Sequence, residues 1–306
     1  MAIGSTHFSS RPPHAPEGAE FAIYIKFEKG SKNPGRVFRA ADQMIRALQK
    51  LDRVLCDSID SNIEPILLLE DIEGGSIKAW FRSVLETTDD QALKDLNWRA
   101  IVGEYLVRAK YTYIRWVNKE SGDIVNLSRE IKDIAETTDV LRFPAYSPPS
   151  VQELSDCTND MEKAKSFLDE KDKIIYIGPD GKEFEFDLGI RWAPDHLIDI
   201  SIKETRVFDR VPMILIVKKP DYLGASKWDF RHGSKTISAK IDDSIWLHSF
   251  QQRRIDVRPG DAISCIVKIE NCYGYEMELI KENHTILKIL GIIPNHANMR
   301  DLFDDD

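Results

Sequence analysis

Cysteines and long apolar runs, which often reveal the class of a protein, are scarce in this sequence. The 306 residues include four cysteines, which form no C-x-x-C pair and no zinc-type pattern with the seven histidines. Neither a zinc scaffold nor a disulfide framework is therefore expected, and reduced thiols in a cytoplasmic protein are predicted. No apolar run approaches the roughly 20 residues that a membrane-spanning helix needs, so no membrane partner is predicted.

Motifs of known catalytic sites are missing too. The sequence contains no Ser-x-x-Lys, Gly-x-Ser-x-Gly or Gly-x-Gly-x-x-Gly pattern. Gly74–Ser76 follows three carboxylates and precedes a strand pattern, which predicts a tight hairpin instead of a phosphate loop. A metal-dependent enzyme would require the carboxylates of Glu70–Glu73 or of Asp195–Asp199 to converge on one cation. No catalytic residue, metal ligand or cofactor is predicted, and an enzyme is the weaker hypothesis.

An overall positive charge is also absent. The net charge is −9 and the isoelectric point is near 5.4, which argues against non-specific binding of nucleic acid by the whole surface. The exception is residues 206–258, which contain 11 Lys or Arg against 6 Asp or Glu. This segment of an acidic protein is therefore basic.

Aromatic residues are interleaved with the basic ones in that segment. Basic side chains contact phosphates and aromatic rings stack on bases in single-strand binders that are built on small barrels. The residues of the predicted nucleic-acid site are Lys227, Trp228, Phe230, Arg231, Lys235, Arg253 and Arg254. The alternative interpretation is that the charges are solvated faces of half-buried strands, and that Trp228 and Trp246 belong to the core. Because Lys227 and Trp228 are neighbours, a regular strand directs them to opposite faces.

The N-terminal part of the chain has mainly a helical period. A short strand is predicted at Phe21–Phe27, followed by a long amphipathic helix after Asn33. A second long helix is predicted over Asp95–Asn118, and another helix follows Ser150. Residues 1–18 are small, polar and proline-bearing, and they are predicted to form a disordered arm.

The period changes in the C-terminal part, where apolar residues alternate from Lys203 to Leu290. A hairpin turn is predicted at Gly178–Gly181, and the pattern places this hairpin at the beginning of the second domain. The predicted fold class is α+β. Residues 19–170 form a small sheet with long amphipathic helices, and residues 171–295 form an antiparallel β-rich sheet or barrel.

Residues 296–306 form a predicted acidic tail. Four of the last six residues are aspartates, and Leu302 and Phe303 lie among them. Such a segment is usually a solubilising end. The alternative is a docking peptide that binds a basic groove.

The beginning of the chain resembles a group of poorly characterised bacterial proteins that are found near mobile or phage-defence genes. The resemblance rests on the strand at Phe21–Phe27, the helix at Arg36–Asp52 and the segment Gly74–Lys78, and covers about the first 85 residues. It implies a bacterial accessory or sensor protein, and it carries over no site residues.

The function predicted from the sequence is non-catalytic binding. The first hypothesis is an interaction, adaptor or sensor protein with a protein partner, as an accessory component of a bacterial defence or stress system. The second is a nucleic-acid-binding protein that uses the basic and aromatic face of the β-rich domain. The third is a metal-dependent enzyme of unrecognised type. The oligomeric state stays open.

Overall fold

The computed structural model describes residues 15–28, 33–73, 77–87, 97–119, 123–192, 202–222, 224, 226–274 and 277–295. The chain divides into two compact units, Met1–Ile200 and Ser201–Asp306. Each unit contains one five-stranded sheet, which is open in the first unit and closed into a barrel in the second. The predicted α+β class with a β-rich C-terminal barrel is therefore confirmed.

The first unit combines an antiparallel sheet with four α-helices in its described residues. The elements are β1 (Phe21–Lys26), α1 (Gly35–Asp57), β2 (Ile63–Glu73), β3 (Ile77–Thr87), α2 (Trp98–Val117), α3 (Ile124–Thr137), α4 (Val151–Lys165), β4 (Lys173–Ile177) and β5 (Glu183–Phe186). The sheet order is β2-β3-β1-β4-β5, and every neighbouring pair is antiparallel. With α1 linking β1 to β2 and α2–α4 linking β3 to β4, the connections form a ferredoxin-like split βαβ arrangement extended by β5.

Helix α1 is held by an apolar face that extends over its whole length. Met44, Leu48, Leu51 and Leu55 recur every three or four residues, and all four are fully buried. The face packs against α4 and β2. The amphipathic helix predicted after Asn33 is confirmed, and its apolar face is core.

The hairpin of β4 and β5 belongs to the first sheet. Strand β4 pairs with β1 along its whole length, from Ile177 opposite Ala22 to Lys173 opposite Lys26. The sequence placed this hairpin in the second domain, and the sheet pairing corrects that assignment. Local alternation identifies a strand but not its partner, because the partner is chosen by contacts distant in sequence. The division between the two units falls after Ile200 in the sequence, whereas the predicted boundary lay near residue 170.

One face of the first sheet is covered in part by residues 15–19. Ala15 and Ala19 are buried against a small cluster that includes Trp80. The predicted disordered arm of residues 1–18 is therefore corrected for its last four residues, which lie on the sheet. The residues before them lie outside the described residues.

The described residues of the second unit form a closed barrel with one helix. Its elements are β6 (Glu204–Lys219), β7 (Trp228–His232), β8 (Lys235–Ile241), α5 (Ser244–Gln251), β9 (Ala262–Tyr273) and β10 (Leu279–Ile293). Around the barrel the order is β10-β8-β7-β6-β9, and β9 pairs with β10 to close it. Neighbours are antiparallel except β8 and β10, which are parallel. Five strands in this order, with a helix between the third and the fourth, have the topology of the OB-fold, a small Greek-key barrel.

Helix α5 supports the barrel core from one side. The Asp243 side chain caps the helix by accepting a hydrogen bond from the Trp246 backbone amide at 3.1 Å. Phe250 on this helix belongs to the buried core cluster, and Trp246 packs against the same cluster. The helix therefore fixes the position of the loops that precede β7 and β9.

Candidate nucleic-acid interface

The two central aromatic residues of the predicted site lie inside the barrel. Trp228 and Phe230 alternate along β7 and are 1% and 0% exposed. Trp228 contacts the rings of Trp246 and Phe250 with centroid separations of 6.0 and 4.8 Å. The prediction that Trp228 and Phe230 stack on bases is corrected, since neither ring is accessible to a ligand. The alternative interpretation, in which Trp228 is core, agrees with the structure.

Four cations lie on the outer surface of three adjacent strands instead. Because Trp228 and Phe230 point inward, Arg231 points outward on β7. Lys240 points outward on β8 for the same reason, since its neighbours Ala239 and Ile241 are buried. Lys218 on β6 and Lys227 before β7 also lie on this surface, because their ammonium groups bond to Thr236 and Asn283. We call Lys218, Lys227, Arg231 and Lys240 the basic face.

Two hydrogen bonds locate the lysine ammonium groups on this surface. Lys218 Nζ donates to Thr236 Oγ1 on β8 at 3.1 Å, so its side chain crosses β7. Thr236 is paired with Arg231 in the β7–β8 ladder. Lys227 Nζ donates to Asn283 Oδ1 on β10 at 3.4 Å, so its side chain crosses β8. The four cations therefore span the outer side of β6, β7, β8 and the adjoining edge of β10.

Two carboxylates on this surface, Asp229 and Asp242, already have polar partners. Asp229 accepts a hydrogen bond from Ser238, the residue directly opposite on β8. Asp242 lies 2.7 Å from Lys240 Nζ, and both of these side chains are about half exposed. The basic face thus has an excess of positive charge on a chain whose net charge is −9. Salt screens such exposed charges over about 8–10 Å, so the excess acts locally.

The remaining predicted site residues do not join the basic face. Lys235 follows the turn after β7 and lies near Glu282 of β10, where burial raises the pKa of Glu282 and the charge of Lys235 opposes the rise. Arg253 and Arg254 follow α5, and Arg253 adopts a left-handed backbone conformation with φ of 58° where the helix ends. Of the seven predicted residues, Lys227 and Arg231 lie together on the outer surface. Lys218 and Lys240 complete that surface and were missed, because their place depends on strand register.

An exposed aromatic side chain lies in the loop between β6 and β7. Tyr222 is 53% exposed, and its ring stacks on Phe250 with a centroid separation of 5.1 Å. The loop is also held by Gln251, whose Nε2 donates to the Gly224 carbonyl at 2.7 Å. Tyr222 is therefore oriented by α5 and still presents ring surface to solvent. Loops between the first and second strands of OB-folds contribute to ligand binding.

A buried histidine lies near one end of this surface. His284 on β10 is 6% exposed, and burial lowers its pKa to about 4. The neighbouring His232 and Lys227 side chains lower the pKa of His284 further. His284 is therefore neutral near pH 7 and adds no charge to the site.

Two of the carboxylates considered for a metal-dependent enzyme, Glu70 and Glu73, are paired with other side chains. Glu70 lies 2.7 Å from Arg82 Nε, and Glu73 accepts a hydrogen bond from Trp80 Nε1 at 2.6 Å. Asp195 and Asp199 lie outside the described residues. Within the described ranges, no group of three or more His, Cys, Asp or Glu side chains could hold a metal ion. In the same part of the chain, no helix is long and apolar enough to cross a bilayer.

Comparison of the chain with protein-family models, with curated proteins and with solved structures gives no match. The OB-fold topology alone does not define a function, because one fold carries many functions. The function must therefore be inferred from the side chains on the barrel surface, which are the cations of the basic face and the exposed ring of Tyr222.

Proposed function

We propose that the barrel unit binds single-stranded nucleic acid across the basic face. The observation that carries this proposal is the clustering of Lys218, Lys227, Arg231 and Lys240 on the outer side of adjacent barrel strands. In OB-folds the outer face of the second and third strands is the surface that binds oligonucleotides or oligosaccharides. Strands β7 and β8 are the second and third strands of this barrel.

The chemistry of the face favours a polyanion over a neutral sugar chain. Lysine and arginine side chains at several points along a surface bind successive phosphates and release their counterions. Tyr222 adds an exposed ring beside the strands, and a base stacked on such a ring contributes about 1–3 kcal/mol without requiring a particular sequence. Unpaired bases are available for stacking in a single strand, so that substrate fits the combination best.

Replacing Arg231 and Lys240 with alanine tests the phosphate contacts. We expect the affinity for an oligothymidylate of about 20 nucleotides to fall roughly tenfold or more at about 100 mM salt, because two counterion-releasing contacts are lost. The dependence of log affinity on log salt should flatten by about 1.4 for the same reason. Fluorescence anisotropy with a labelled oligonucleotide measures both quantities. Circular dichroism checks that the fold is kept.

The matched control removes two exposed cations from the first unit, Arg46 and Lys182. It changes the net charge by the same amount, and we expect it to leave the affinity and the salt dependence unchanged. Tyr222→Ala should weaken binding at every salt concentration without altering the slope, because it removes stacking and no charge. Equal effects of the control pair and the basic-face pair would mean that binding responds to net charge and not to this face.

A second candidate function is the non-catalytic adaptor hypothesis, and one observation favours it. Another part of the barrel surface, on β6 and β10, exposes large apolar side chains, namely Ile214, Leu290 and Ile293. Ile214 and Gly291 are both paired with Ser264 of β9, so these side chains lie on the two strands that flank β9. Exposed apolar patches of this kind are typical of protein-binding surfaces. A role in a bacterial defence or stress system rests on the resemblance of the first 85 or so residues.

A further inference from the structure

We propose that the basic face also binds the acidic tail of the same chain, residues 296–306, in competition with nucleic acid. The competition rests on the proposed function, whereas the contact between tail and face does not. Three observations carry it: where the described chain ends, how far the tail reaches, and the charges on each side.

The described chain ends beside strand β6, close to the basic face. The Asn295 amide donates to Asp261 Oδ1 at 2.9 Å. Asp261 is also bonded to β6, because its backbone carbonyl accepts a hydrogen bond from the Val217 amide at 2.8 Å. Lys218, the next residue after Val217, is a member of the basic face. The tail therefore begins within a few residues of the surface to which we assign it.

The tail is long enough to cross that surface. Its eleven residues span at most about 36–40 Å when fully extended. Neighbouring strands lie about 4.8 Å apart, so the width from β6 through β7 to β8 is roughly 10 Å. Val217 pairs with Phe230 and Phe230 with Ile237, so Lys240 lies three residues, or roughly 10 Å, further along β8. A chain that leaves the barrel near Val217 is therefore long enough to reach both Arg231 and Lys240.

The charges of tail and face are complementary. The tail contains four aspartates and one arginine. The basic face contains four cations, and two neighbouring carboxylates, Asp229 and Asp242, are already engaged with Ser238 and Lys240. Leu302 and Phe303 lie among the aspartates. The tail therefore combines an aromatic ring with negative charges, as a nucleic acid combines bases with phosphates. Tyr222, exposed beside the face, offers that ring a stacking partner.

A tethered competitor acts at a high local concentration. A short linker holds its ligand at roughly millimolar effective concentration, so even a weak contact occupies the face for part of the time. Nucleic acid then binds with an apparent affinity reduced by that occupancy. The contact between the tail and the basic face is electrostatic, as is the contact between nucleic acid and the face. The tail should therefore stop lowering the apparent affinity for nucleic acid when salt screens its charges.

Neutralising the tail in the full chain tests the competition. We expect Asp301→Asn, Asp304→Asn, Asp305→Asn and Asp306→Asn together to raise the affinity for labelled oligothymidylate about threefold or more near 50 mM salt. The gain should vanish near 300 mM, where screening removes the contact (about 6 Å Debye length). A matched control neutralises four exposed carboxylates of the first unit: Glu28→Gln, Asp42→Asn, Glu64→Gln and Asp139→Asn. The control should bind as the parent does.

A second measurement detects the contact without any nucleic acid. A labelled peptide with the sequence of residues 296–306 is titrated with the tail-neutralised chain near 50 mM salt, where screening is weak. We expect saturable binding that is lost when Arg231→Glu and Lys240→Glu are added to that chain. No peptide binding overturns the inference, even if tail neutralisation strengthens oligonucleotide binding, because that gain would then reflect long-range repulsion. Peptide binding to a chain that binds no oligonucleotide supports the contact and overturns the proposed function instead.

Discussion

Replacing Trp228 with alanine is expected to lower the free energy of unfolding by about 3–5 kcal/mol, because the change leaves a large cavity in the barrel core. Trp228 is fully enclosed and contacts Phe230, Trp246 and Phe250. The neighbouring rings are fixed by strands and by α5, so they cannot collapse into the space. Urea unfolding followed by circular dichroism measures the loss.

Tyr222→Ala is the matched comparison for this prediction. Tyr222 also contacts Phe250, but it is 53% exposed, and its removal should cost less than about 1 kcal/mol. The two substitutions should therefore have opposite profiles: Trp228→Ala affects stability, and Tyr222→Ala affects oligonucleotide binding. A Trp228→Ala protein of unchanged stability that binds oligonucleotide more weakly would place the Trp228 ring in the site and contradict the structure.

Replacing Lys110 with methionine is expected to destabilise the first unit by about 3–5 kcal/mol, because it leaves a buried carboxylate without its partner. Lys110 on α2 and Asp52 on α1 are 5% and 4% exposed, and Lys110 Nζ donates to Asp52 Oδ2 at 2.8 Å. Lys110 Nζ also lies 4.9 Å from the centroid of the Phe21 ring. Replacing both residues, Lys110→Met with Asp52→Leu, should restore most of the stability, since no buried charge is left unpaired.

The loss of unfolding free energy caused by Lys110→Met should be smaller at low pH than at neutral pH. Burial raises the pKa of Asp52 above its ordinary value of 3.8, and Lys110 opposes this rise. Without Lys110 the pKa of Asp52 rises further, so the folded state binds a proton more readily than the unfolded state does. The destabilisation should then shrink as the pH falls toward 3.8, where the unfolded state is protonated as well. A loss that is the same at pH 7 and pH 4.5 would show that Asp52 is not the group responsible.

The sequence predicted secondary structure better than it predicted the partners of each strand. Helix α1 and the alternating strands follow from the local spacing of apolar residues, which the packing of the fold preserves. The β4–β5 hairpin shows the limit, because its strands alternate equally well in either unit. Pairing with β1 depends on contacts with residues about 150 positions earlier in the chain, which no local pattern encodes.

The candidate site was predicted in part, for a related reason. The basic excess of residues 206–258 does lie on the barrel, and alternation already separated Lys227 from Trp228. The segment does not form one surface, because side chains along its strands alternate between the barrel core and the outer face. Lys218 and Lys240 could be found only from the β6–β7–β8 register. It brings the Lys218 ammonium group to Thr236, opposite Arg231, and it places Lys240 across from Lys227 because Ala239 pairs with Trp228.

The most direct test of the account is the salt dependence of oligonucleotide binding by the unaltered chain. Four phosphate contacts with a single strand give a slope of about −2.8 in log affinity against log salt, because each contact contributes about −0.7. The affinity for labelled oligothymidylate should therefore fall roughly 50-fold between 50 and 200 mM salt. Binding that is absent at micromolar protein near 50 mM salt, or present but insensitive to salt, would contradict the proposed role of the basic face. The apolar surface around Ile214 and Leu290 would then be the better guide to function.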